Sequence, residues 1–288
     1  MILVTAATGT IGSLVLRELV DADVAVRAAV HRRPVDLAGI ETCPIDLDDP
    51  DTLPAALDGV RTVFLASYDT LHEQALVGPA VRAGVERIVK LSAWRADEGG
   101  FTIGRWHRQV ERTIEDSGLA WTFLRPNFFM QNFVNFVGGL IRDEGAIYEP
   151  AGDARISYID ARDIGRVAAR VLTEPGHEQR AYALSGPDAL THDEIAATLT
   201  QTLGRTIRHH RVTDAEYVDK LRAIGFPDQD ATAFTDSYRY GRTGTCSAVT
   251  PHVTDLTGRS PRSFAQFCQD HAEAFTTIPA TDPAASDH

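Results

Sequence analysis

The sequence predicts an α/β chain built on a doubly wound parallel sheet, with a smaller carboxyl-terminal α/β lobe. Three observations predict it. Short apolar runs alternate with helix-period segments through the first half of the chain, the rhythm of parallel strands joined by right-handed crossovers. The first apolar run, residues 1–5, passes into a turn of small residues, Ala6-Ala7-Thr8-Gly9-Thr10-Ile11-Gly12, and then into a helix. Past Pro126 the rhythm loosens into aromatic-rich sequence and further helices, as expected of a lobe packed over the carboxyl ends of the strands.

The elements follow in order. Residues 1–5 form the first strand, and residues 12–19 a helix with Ile11, Val15, Leu16 and Leu19 on one face. Strands are expected at 24–30, 42–45, 62–66, 87–92 and 121–125. Helices are expected at 52–57, 72–83 and 105–116, the last two stopped by Gly84 and Ser117-Gly118. Residues 127–140 read as a pocket wall. A strand at 156–159, a helix at 163–172, a strand at 181–184 returning to the sheet and a helix at 192–203 come next. An extended stretch at 206–212, a helix at 214–224 and another near 262–275 complete the lobe. The chain thus divides into a nucleotide-binding domain over 1–150, a mixed segment over 151–278 that partly returns to the sheet and forms the substrate lobe, and a disordered tail over 279–288.

Bulk properties narrow the function. With 288 residues there is ample volume for a core. The net charge of −12 argues against nonspecific nucleic-acid or anionic-membrane partners. Cys43, Cys246 and Cys268 form no CxxC or Cys/His cluster, so neither a disulfide framework nor a metal site is expected. No apolar run reaches the ~20 residues of a membrane span, and the first strand starts at the first methionine. A cytoplasmic monomer or homodimer acting on a small molecule is the expectation.

The strand–turn–helix opening is that of a Rossmann fold and predicts a dinucleotide pyrophosphate on a helix N-terminus. Gly9 lets backbone approach the phosphates, Gly12 lets the helix pack on the sheet, and Thr8, Thr10 and Ile11 complete the turn. Ala6 stands where the GxxGxxG form of the turn has its first glycine. It costs about 1 kcal/mol if its φ is positive and nothing if φ is negative. After strand two comes His31-Arg32-Arg33 instead of the acidic residue that holds a ribose 2′-hydroxyl. Those cations suit a 2′-phosphate, so NADP(H) is favoured over NAD(H). Asp46 and Leu47 would lie beside the adenine, although Asp46 also suits a helix cap.

Several segments together resemble the NmrA-like branch of the atypical short-chain dehydrogenase/reductase family. They are the turn at Val4–Gly12, the run Ile45-Asp46-Leu47-Asp48-Asp49, and Arg105-Trp106-His107-Arg108-Gln109-Val110-Glu111. Further on come Leu124-Arg125-Pro126-Asn127-Phe128-Phe129-Met130-Gln131-Asn132, Tyr158-Ile159-Asp160-Ala161-Arg162-Asp163 and Ala181-Tyr182-Ala183-Leu184-Ser185-Gly186-Pro187. The resemblance implies NADP(H) in the cleft of a Rossmann domain. It also implies either an oxidoreductase of quinones, azo compounds or enones, or a redox-sensing regulator without turnover. A Rossmann-fold isomerase or cyclase with weakened cofactor use is a further reading that Ala6 permits.

Members of the wider family use a serine after strand five and a YxxxK pair on the next helix. Ser92 fits the serine, His107 takes the tyrosine-like position and Glu111 the lysine-like one. His107 and Glu111, four apart on one helix face, are expected to pair and to donate a proton near neutral pH. Ser67 and Tyr68 after strand four would flank the nicotinamide ribose. Asn127 and Phe128 after strand six would cover the nicotinamide, and Phe129, Phe133 and Tyr158 would line the substrate pocket. His209 and His210 alternate on a strand and face opposite ways, so no metal is expected there.

Overall fold

The computed structural model describes residues 1–276 apart from 32, 33, 36, 38 and 48. Arg32, Arg33 and the tail at 279–288 therefore lie outside the described residues. The chain runs β1 (Ile2–Val4), α1 (Thr10–Asp21), β2 (Val26–Val30), β3 (Glu41–Pro44), α2 (Leu53–Leu57), β4 (Thr62–Leu65), α3 (Thr70–Arg82), β5 (Arg87–Leu91), α4 (Thr102–Asp116) and β6 (Ala120–Pro126). It continues through α5 (Asn132–Asn135), α6 (Gly138–Glu144), β7 (Ala146–Glu149), α7 (Ala161–Thr173), β8 (Arg180–Leu184) and α8 (His192–Leu203). The last elements are β9 (Arg208–Arg211), α9 (Asp214–Ala223), α10 (Asp228–Gly241), α11 (His252–Thr257) and α12 (Phe264–Asp270).

Seven strands form one sheet in the order β3-β2-β1-β4-β5-β6-β8, every pair parallel. Alternation along each strand feeds two cores. Val4, Phe64, Val89 and Leu124 join the core beneath α1 and α7. Their neighbours Leu3, Val63, Ile88 and Phe123 join the core with α2, α3 and α4 on the opposite face. On the first face α1 and α7 approach closely, because a Cβ on Gly165 would meet the Leu14 side chain at 2.9 Å.

The lobe holds a third core, in which Phe133, Tyr158, Tyr238, Phe264 and Phe267 are buried together. The expected strand at 156–159 is only a pair of isolated bridges, Phe129 to Ile159 and Ile156 to Leu190. The lobe's own sheet is instead β7 paired in parallel with β9. Thus β7, which precedes residue 150, pairs with a strand from the far side of that boundary. The strand at 180–184 returns to the large sheet beside β6, as its apolar pattern predicts. Among the described residues, no helix is long and apolar enough to cross a membrane.

Candidate active site

β1 and β4 are neighbours from which the chain winds to opposite sides, so their carboxyl ends border the switch-point crevice of an open α/β sheet. Thr5 pins them: its Oγ1 donates to the Ala66 carbonyl at 2.6 Å and accepts the Ala66 N–H at 2.8 Å. Ala6 then takes φ 47°, in the left-handed region, so it carries the cost of about 1 kcal/mol that its Cβ brings there. Its carbonyl accepts the Gly9 N–H at 2.8 Å, which closes the turn. A Cβ on Gly12 would lie 2.1 Å from that same carbonyl oxygen, so only glycine fits at position 12.

α1 starts at Thr10 with Gly9 as its N-cap, no side-chain cap and no acidic residue in its first turn. The first N–H groups of the helix, those of Thr10, Ile11 and Gly12, are therefore left to an outside anion. A cavity of about 250 Å³ surrounds the turn, lined by Ala6, Thr8, His31, Asp46, Leu47, Ser67 and Tyr68 among others. His31 Nε2 lies 3.6 Å from the Asp46 carboxylate. The turn of small residues, the uncapped helix and the flanking cavity fit a dinucleotide.

A second cavity, of about 360 Å³, includes Thr10 at the start of α1 and opens toward the lobe. Its walls are Ser92, Trp94, His107, Phe128, Phe129 and Phe136, with Phe234 and Tyr240 from α10. It shares Ile103, His107, Phe136 and Phe234 with an outer cleft of about 590 Å³ that extends to Tyr68, Trp106 and Asp230. At that outer end the Tyr68 hydroxyl donates to the Asp230 carboxylate, joining the loop after β4 to α10. The bond holds the Tyr68 phenol up at about 12.

His107 stands where the two cavities meet, but not with its expected partner. Its Nδ1 lies 3.0 Å from Nζ of Lys90, a fully buried residue of β5. Lys90 also contacts the Glu73 carboxylate at 2.5 Å and donates to the Leu91 carbonyl at 2.9 Å. Glu73, from α3, is itself fully buried and accepts the Ser67 N–H at 3.0 Å. Burial, reinforced by the Lys90 ammonium, holds the His107 imidazole well below its ordinary 6.5. An ammonium can only donate, so this contact makes Nδ1 the acceptor, and a neutral ring then carries its proton on Nε2.

Glu111 faces away from His107. It accepts the Ser92 hydroxyl at 2.7 Å, two bonds from Arg125 at 2.9 and 2.8 Å, and one from Arg108 at 3.1 Å. The expected His107–Glu111 pair is thus replaced by two separate networks. The guanidinium of Arg125, delivered by β6, draws the carboxylate behind Ser92, and an ammonium reaches the imidazole instead. A protonated imidazole stabilised by Glu111 is not what this geometry provides.

Other expected residues also shift. Phe129 borders the second cavity, whereas Phe133 and Tyr158 are 2% and 1% exposed in the lobe core and do not line it. Phe133 packs edge-on to Tyr158 and Phe264, and the Tyr158 hydroxyl lies 3.0 Å from His192 Nε2. Asn127 borders the cavity, but its amide nitrogen is committed to Ser157 Oγ and the Cys246 carbonyl, each at 2.8 Å. It thereby ties the end of β6 to the lobe. Sequence reasoning missed Lys90 and all of α10. A lysine between Val89 and Leu91 in a strand covered on both faces was the available signal, since such a charge must find a partner. α10 offered none, because its apolar residues are sparse among Asp, Thr and Ser.

The NmrA-like family model matches residues 1–254. The chain belongs to the NmrA-like family. It is 39% identical to an NAD(P)H azoreductase of Xenophilus azovorans, covering 96% of this chain and 99% of the relative. It is 40% identical, over 96% of this chain and 99% of the relative, to the (4-alkanoyl-5-oxo-2,5-dihydrofuran-3-yl)methyl phosphate reductase of Streptomyces griseus. The fold superposes with a TM-score of 0.86 on an Escherichia coli NADPH-dependent quinone oxidoreductase solved with NADPH. The two are 28% identical, over 94% of this chain and 99% of that one.

Proposed function

We propose that this NmrA-like protein is an NADP(H)-dependent oxidoreductase that reduces flat, conjugated small molecules, quinones or aromatic and polyketide-like intermediates, by hydride transfer. One observation carries the reading. The aromatic cavity includes Thr10, the first residue of the anion-binding helix, and His107 is the one imidazole among the described residues that line it. Relatives that reduce azo compounds, a butenolide phosphate and quinones support it. A cavity of about 360 Å³ beside the nucleotide crevice also favours turnover over a regulator that binds the nucleotide alone.

The N-terminus of α1, with Ala6, Thr8 and Gly9, would hold the pyrophosphate. His31, Asp46 and Leu47 would hold the adenosine, with Arg32 and Arg33 for the 2′-phosphate. Ser67, Tyr68, Asn127 and Phe128 would border the nicotinamide half. The cofactor, when bound, supplies the hydride, and the protein supplies placement. Phe128, Phe129, Phe136 and Phe234 present apolar rings to a planar acceptor and exclude water from it. The His107 Nε2–H donates to the acceptor heteroatom on which charge develops.

Titration of the purified protein with NADPH and NADH, followed by assay against quinones, an azo dye and an enone, tests this reading. Tighter binding of NADPH and oxidation by at least one acceptor class is the expected outcome. Binding of neither nucleotide would overturn it.

A further inference from the structure

We propose, resting on the reductase reading above, that Lys90 is the proton source for the reduction and that His107 relays its proton into the acceptor cavity. Hydride delivery leaves an electron pair on a distal oxygen or nitrogen of a conjugated acceptor, and that atom must gain a proton. The cavity wall offers few alternatives. The Ser92 hydroxyl is given to Glu111 at 2.7 Å, the Tyr240 hydroxyl to Glu98 at 2.7 Å and the Ser237 hydroxyl to the Ala233 carbonyl at 3.2 Å. Gln131 is held by Asp160 at 3.0 Å and by the Ala161 N–H at 2.8 Å. The Cys246 thiol is pushed up to about 11 by burial. His107 borders the same cavity, and its Nε2 makes no hydrogen bond to protein among the described residues.

The groups facing the imidazole explain what it can pass on. From β5 the Lys90 ammonium meets Nδ1 at 3.0 Å, and from α3 the Glu73 carboxylate stands behind it, 3.9 Å from Nδ1. From α4 itself, Glu111 is turned away toward Ser92 and Arg125. An imidazole that gave up its Nε2 proton alone would become an imidazolate, a stronger base than the phenolic oxygen it had protonated. With Lys90 in contact the transfer is a relay. The acceptor anion takes the Nε2 proton, Nδ1 takes a proton from the Lys90 ammonium, and Lys90 is left as a neutral amine. After product leaves, a proton from solvent enters at Nε2 and the Nδ1 proton returns to Lys90. The balance is one hydride from the cofactor and one proton from solvent for each acceptor reduced.

The burial of Lys90 points the same way. Replacing a buried ion pair by apolar side chains is often neutral or stabilising, and Lys90 sits among Val89, Leu91 and other apolar strand residues. Here the pair is aimed at the imidazole that borders the acceptor cavity, and its anion is bonded to Ser67 at the edge of the cofactor crevice. Lys90 is thus a positioning residue that also carries the proton.

The experiment has two arms, both on the full chain. Histidine ¹⁵N NMR of the cofactor-free protein should show His107 neutral with its proton on Nε2 at neutral pH. In the Lys90→Met, Glu73→Gln pair, which removes both charges together, that ring should titrate at higher pH. A charged ring or an Nδ1–H tautomer in the unmodified protein would overturn the relay. In the second arm, single-turnover oxidation of NADPH by a benzoquinone is followed in mixtures of H₂O and D₂O. The unmodified protein should slow along a curved line with deuterium content, the mark of two protons in motion. His107→Gln and the Lys90→Met, Glu73→Gln pair should bind NADPH unchanged, lose roughly 10²-fold in rate and give a straight line. Unchanged rate and curvature in both would overturn the relay while leaving the reductase reading intact. No oxidation by the unmodified protein with any acceptor would overturn both.

Discussion

The carbonyl oxygen of Ala6 fills the space that a side chain at position 12 would need, lying 2.1 Å from where a Gly12 Cβ would stand. The turn therefore needs glycine absolutely at one end and only by preference at the other, where Ala6 bears φ 47°. Ala6→Gly should stabilise the protein by roughly 1 kcal/mol, through relief of the left-handed backbone. Gly12→Ala should abolish nucleotide binding, because helix and turn must separate to admit the methyl group. Denaturant midpoints and NADPH titration of the two variants check both outcomes.

Glu149 gives the fold an alkaline weakness. It is fully buried at the end of β7, with Tyr217 donating to its Oε1 at 3.3 Å and Oε2 without a hydrogen-bond partner among the described residues. Burial lifts its carboxyl to about 8 from an ordinary 4.5. The folded state then holds a proton that the unfolded chain releases near the ordinary value. This contribution is complete below pH 4.5, declines as pH rises and is gone above about 8, at about 1.4 kcal/mol per unit. Thermal midpoints of the unmodified protein should fall between mildly acidic and alkaline pH. In Glu149→Gln that fall should flatten.

Glu111 gathers Ser92, Arg108 and Arg125 around one carboxylate. It is fully buried and neutralised by Arg125 and Arg108. Glu111→Ala leaves Arg125, whose side chain is 12% exposed, with Asp97 as its remaining partner. Loss of one partner of such a pair costs roughly 3–5 kcal/mol. Urea unfolding of Glu111→Ala and His107→Ala should show the large loss only in the former.

Phe136 borders both the inner cavity and the outer cleft and packs edge-on to Phe226 and Phe234. Phe136→Ala removes apolar contact from acceptor and transition state alike. KM for a two-ring quinone should rise on the order of tenfold with kcat little changed, since a buried aromatic ring contributes about 1.5–3 kcal/mol. A matched one-ring quinone should be affected less.

Most of the large sheet was legible because its strands are short apolar runs between helix signals. Residues 1–5, 62–66 and 87–92 announce themselves in this way, and Gly9 and Gly12 mark the crevice. β7 was not legible, because a four-residue strand ending in a glutamate looks like a loop until burial is known. α10 hid for a related reason: its buried face uses Ala231, Thr235 and Ser237 as well as Tyr238, so the usual apolar period is absent. The His107–Glu111 expectation failed because helix spacing gives proximity along one element only. Arg125 and Lys90 come from neighbouring strands, and each took the partner that helix spacing had assigned to the other member of the pair.

The proposed reaction is hydride transfer from a cofactor on the α1 turn to an acceptor in the aromatic cavity. Its most direct test is rapid mixing of the preformed NADPH complex with a small quinone while reduced cofactor is followed. Oxidation in a single phase whose rate saturates with quinone is the predicted result. Tight NADPH binding with no oxidation by any acceptor would contradict it and assign the chain to regulation instead.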